Sequence, residues 1–132
     1  MTFPELIRNQ EEVLQRLLLF SQRQREIVDK DNPTLLLEHL GQRERLWHEF
    51  EQLDQQLSPH KGIPPERRVW RSDAERQLTE ASQNRCLSLL EEIMANDEIS
   101  LAKAAELKDE KEKDLRRIQR AKTAASGYAR MG

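Results

Sequence analysis

Leu6, Val13, Phe20 and Ile27 recur at seven-residue intervals, and Ile7, Leu14, Ser21 and Val28 form a neighbouring row, with Leu17 between the two. Strand side chains alternate faces every second residue, so this spacing fits a helix and not a strand. A seven-residue repeat also keeps one seam turned toward a partner, which predicts long, nearly parallel helix packing. The first helix is expected from about Pro4 to Lys30. Pro4 suits a first-turn position, where its missing N–H would have no partner within the helix. Arg8, Gln15, Gln22 and Arg25 fall on the opposite, polar face.

The stretch "DKDNPT" ends that helix and begins another. A residue before proline avoids the α region, so Asn32 reads as an N-cap and Pro33 as the first helical residue. The second helix should run to about Leu57, with Leu36, Leu40, Trp47, Phe50 and Leu57 as its apolar stripe, flanked by Leu46 and Leu53. Two helices of equal length with a link of a few residues predict an antiparallel hairpin over 4–57. Ser58, Pro59, Gly62, Pro64 and Pro65 then mark a loop over 58–71, with Val69 and Trp70 expected to tuck against the hairpin end. Trp70 reads as a lid over the bundle rather than a ligand contact.

Ser72 and Glu75 have the spacing of a capping box, which places the start of a third helix at 72. Ala74, Leu78, Ala81, Cys86, Leu89, Leu90, Ile93 and Met94 are expected to pack it on the hairpin. The helical pattern outlasts the hairpin, however. "ANDEIS" at 95–100 is a weak spot, where the helix could continue as a rod or fold back as a fourth element. The expected fold is therefore all-α: an antiparallel hairpin plus a long third helix, in a three- to four-helix bundle with coiled-coil-like packing. Residues 1–95 form the bundle and 96–132 a C-terminal helical extension. The seam of that extension (Leu101, Ala104, Ala105, Leu107, Leu115, Ile118 and Ala121) is poor in large side chains. Such a helix is marginal alone and calls for a partner.

Composition narrows the function classes. Charged residues make up 35 % and the net charge is −2, so no global excess points to nucleic acid or an anionic membrane. From Lys113 onward there are six cations against one acid, part of which suits a helix C-terminus. Only Tyr128 could stack on a base there, so nucleic acid is set aside as a partner. "MTFPELIRNQEE" lacks a basic stretch followed by an apolar core, and "LLLF" is far short of the ~20 residues that cross a bilayer. The chain reads as cytoplasmic. Its one cysteine, Cys86, reads as a small buried side chain. His39 and His48 lie half a turn apart around one helix and read as surface or boundary residues. No metal-binding, nucleophile or glycine-rich phosphate motif is present. The expectation is a protein that is not an enzyme, with no cofactor and no small-molecule substrate.

The order of segments carries a resemblance. "PELIRNQEEVLQRLLLFSQRQREIV", then "DNPTLLLEHLGQRERLWHEFEQLDQQL", then a proline-containing loop and "QNRCLSLLEEIMANDEISL" resemble the FlgN type of flagellar export chaperone, and more loosely the FliT type. The matched features are the acidic break and leucine run from Asp31 to Leu46, and Asn84, Leu87 and Leu90 followed by a polar turn near Asn96. Arg43 or Arg45 stands where the family commonly has lysine. The resemblance implies a cytoplasmic chaperone of a type III export system that keeps hook–filament junction proteins from assembling early. It implies that the C-terminal segment binds the client's terminal helix, through Leu101, Ala104, Leu107, Leu115, Ile118 and Ala121. It further implies a contact of Tyr128 with the membrane export gate. The alternative is a structural or signalling coiled coil acting through self-association, with the third helix paired in a homodimer.

Overall fold

The computed structural model describes residues 1–30 and 32–131; the side chains at 107, 111, 122 and 125–131 lie outside that description. The described residues form three α-helices, α1 (Phe3–Asp29), α2 (Pro33–Lys61) and α3 (Asp73–Met131), with one 3-10 turn at Pro65–Arg67. The molecule is an all-α helical bundle. No helix among the described residues is long and apolar enough to cross a membrane.

Both ends of the hairpin have local causes. Thr2 and Glu5 close a capping box over the start of α1, a threonine-to-glutamate spacing that the sequence holds in plain view. Asn32 accepts from the Leu35 N–H at 3.1 Å, and Pro33 follows as the first helical residue, as the dipeptide predicts. The end of α2 differs from expectation: the helix runs through Ser58 and Pro59 to Lys61. A proline in the last turn forfeits one hydrogen bond and can leave the preceding turns intact.

The central element is α1. It packs against α2 on one side and α3 on the other, while α2 and α3 meet only through side chains. Leu6, Ile7, Val13, Leu14, Leu17, Ser21, Ile27 and Val28 are all buried, so both predicted rows face inward. Phe20 is half-buried, its ring 4.9 Å from His39. One cluster joins Val13, Leu14 and Leu17 to Cys86 and Ile93 of α3, with Trp47 and Phe50 of α2 packed against it. A second joins Leu6 and Ile7 to Leu57. Each fully buried Leu or Ile contributes on the order of 1.5–3 kcal/mol. His39 is buried rather than at the surface, its Nε2 2.6 Å from the Phe20 carbonyl oxygen.

The third helix neither breaks nor turns back at 95–100. It runs alongside α1 in the same direction, tied to it at successive levels. Glu11 accepts from Ser82 at 2.7 Å and from Arg85. Asn96 accepts from Arg25 at 3.1 Å and donates to Ser21, so Arg25 leaves the solvent face expected of it. Lys103 pairs with Asp29 at 2.7 Å, level with the end of α1. Packing thus extends past residue 95, and the bundle closes at Lys103.

Candidate partner-binding surface

The inward face of α3 is set by polar ties and small side chains. Thr79, Ser82, Cys86, Ile93 and Ser100 are buried, at heptad-like intervals, yet only Ile93 is a large aliphatic residue. One position further along, the row Leu87, Met94 and Leu101 faces outward, at 59 %, 60 % and 66 % exposure. Cys86, Ile93, Leu89 and Leu90 pack on the core as expected, the two leucines half-buried. Met94, Leu78 and Ala74 correct the expected packing: they are exposed instead of lining the core.

Beyond Lys103, α3 continues without the bundle. The 28 residues from Ala104 to Met131 amount to roughly 40 Å of helix at 1.5 Å per residue. Ala104 is half-buried, and every other described side chain from 105 to 124 is exposed. Leu115 is 64 % and Ile118 53 % exposed, and Ala121 is exposed as well. At 100° per residue, Leu101, Ala104, Leu115 and Ile118 fall within one face of the helix, and Leu115 and Ile118 continue the line of the buried row Cys86, Ile93 and Ser100 past the end of the bundle. The structure therefore brings together Leu101, Ala104, Leu115 and Ile118 on one apolar stripe. Leu107 and Tyr128 lie outside the described side chains. Leu87 and Met94 are exposed on a separate, outward row of the bundle, up to about 140° round the helix from Ile118.

The charges at the α2–α3 junction border the stripe. Arg43 of α2 pairs with Asp97 of α3 and stacks its guanidinium 5.8 Å from the Trp47 ring centroid. Burial raises the Asp97 carboxyl above its ordinary value, against the lowering by Arg43. On the α1 side the balance is reversed. The Arg85 hydrogen bond holds the Glu11 carboxyl below the usual carboxylate range, against the opposing effect of burial and with further help from Ser82. Burial pushes the Cys86 thiol up to about 11, so it is a poor thiolate at neutral pH. His48 is exposed, its Nε2 3.2 Å from the Gln52 side-chain amide. Among the described residues no three His, Cys, Asp or Glu side chains gather as a metal site would need. The chemistry offered is thus a surface for packing: the bundle-facing side of α3, left uncovered where the helix runs past α1 and carrying Ala104, Leu115 and Ile118.

No family model, curated protein or solved structure matches the chain.

Proposed function

We propose that this protein is a binding protein for amphipathic helices, and specifically a cytoplasmic chaperone of the FlgN type in a flagellar (type III) export system. The reading is carried by one observation: Leu101, Leu115 and Ile118 share one face of a helix that leaves the bundle, and there that face stands open to solvent. A helix with one open apolar face is what a helix-in-groove partner requires. Exposure of so many large aliphatic residues at helical spacing serves no purpose in the bundle itself. The client is the terminal helix of a hook–filament junction protein, as the sequence resemblance implies, and Tyr128 is assigned to the export gate on the same ground. Catalysis is not part of this function.

The test is co-purification of the tagged full chain with its junction-type client from the source cells. Leu115→Glu and a truncation after Lys103 should each abolish capture while the bundle stays folded by circular dichroism. Capture that survives both changes contradicts the assignment. Sedimentation of the purified chain over a range of concentrations separates the competing reading. A tight dimer that is lost on Leu115→Glu, with no client captured, would make self-association the function instead.

A further inference from the structure

The end of the molecule away from the free helix holds a cavity. It measures about 590 Å³ and lies where the start of α1, the end of α2 and the 62–72 connection meet. Its apolar floor is made of Phe3, Ile63 and Trp70. Trp70 does act as a lid, half-buried with its ring edge-on to Phe3 at 6.0 Å, whereas Val69 does not tuck in and is 96 % exposed.

Three guanidinium groups, from Arg67, Arg68 and Arg71, line the same space, and none forms an ion pair among the described residues. Glu75 is the one acid in the lining, and its carboxylate already accepts from the Arg71 backbone N–H at 3.1 Å. Arg68 is held in place: its guanidinium lies 4.3 Å from the Phe3 ring centroid and its Nη2 donates to the His60 carbonyl at 3.2 Å. Its Nε is buried and finds no acceptor in the protein, and the same is true of Trp70 Nε1. A buried donor left unpaired costs roughly 1–3 kcal/mol, and both donors belong to residues of the cavity wall. The volume lies within the ~300–1,000 Å³ of small-molecule sites, which combine apolar walls with a few fixed polar groups.

We infer that this cavity binds a small molecule in which an oxyanion, carboxylate or phosphate, is joined to an apolar or aromatic body. The positive charge of Arg67, Arg68 and Arg71 attracts the oxyanion, and the body packs on Phe3 and Trp70. Arginine suits this role because its planar fork stays charged and presents fixed donors. The site is independent of the helix-binding stripe, which lies toward the other end of the bundle.

Phenyl phosphate is the probe, and the two tryptophan indole N–H resonances of the ¹⁵N-labelled full chain are the readout, assigned with Trp70→Phe. Phenyl phosphate should displace the Trp70 resonance saturably and leave Trp47 in place. Arg68→Lys, which keeps the charge but not the planar fork stacked on Phe3, should weaken binding about tenfold or more. Arg67→Gln, at an exposed position, should weaken it less and reduce its salt dependence. Inorganic phosphate, which lacks the ring, should bind at least about tenfold more weakly than phenyl phosphate. No saturable displacement, or the same displacement in Arg68→Lys with an otherwise unchanged spectrum, or equal affinity for inorganic phosphate, overturns the proposal.

Discussion

α1 and α3 carry similar apolar rows and use them in opposite ways. α1 turns Leu6, Val13, Leu14, Leu17 and Ile27 into the bundle and leaves Arg8, Gln15 and Gln22 to solvent. α3 buries Thr79, Ser82, Cys86 and Ser100 beside a single large aliphatic residue, Ile93, and leaves Leu87, Met94 and Leu101 outside. A helix can be oriented by specific polar partners as well as by its apolar moment, and in α3 the polar partners win. Glu11, Ser21 and Asp29 of α1 each meet a polar partner on the same face of α3. Buried carboxylates demand such partners, because an unpaired one costs several kcal/mol. Turning α3 to bury Leu87 and Met94 would strand Glu11.

The difference can be broken most forcefully in α1. Leu14→Ala, at a fully buried position, should cost about 3 kcal/mol in a urea melt. Glu11→Gln removes the polar anchor and should cost about 1–2 kcal/mol at neutral pH. The folded state holds the Glu11 pKa below its unfolded value, so its contribution is present above the unfolded pKa and is lost as pH falls through the folded one. The penalty of Glu11→Gln should therefore shrink in melts below about pH 4. The outward row should behave differently: Leu101→Glu should change stability by no more than about 0.5 kcal/mol, the range of exposed positions, while removing client capture. The smallest structural consequence is kinetic. Native Cys86 should be alkylated at pH 8 about a hundredfold more slowly than an unstructured cysteine, and at the ordinary rate in denaturant.

How far the sequence could be read follows from the same contrast. The rows of α1 were legible because large apolar residues at seven-residue spacing coincide with the buried face, and Asn32-Pro33 marked the hairpin turn by local chemistry alone. The face of α3 was not legible. Two rows one residue apart, at 86, 93, 100 and 87, 94, 101, compete for the inside, and apolar content favours the wrong one. What decides is the pairing of Glu11 with Ser82 and Arg85 and of Asn96 with Arg25, residues more than seventy positions apart. His39 was misread for a similar reason: its partner, the Phe20 carbonyl, belongs to the other arm of the hairpin. Of the candidate binding residues, Leu101, Leu115 and Ile118 stand exposed and Ala104 half-buried. The arginine-lined cavity was invisible because the residues forming it come from three separate stretches of chain.

The central claim is that α3 continues beyond the bundle with its apolar face open for another helix. Backbone hydrogen exchange over residues 112–121 of the purified full chain, alone and with the client's terminal helix added, tests it most directly. An unsupported helix of this composition is marginal, so rapid exchange is predicted for the chain alone and strong protection on adding the client. Protection already present in the dilute chain alone, and unchanged by the client, would contradict it.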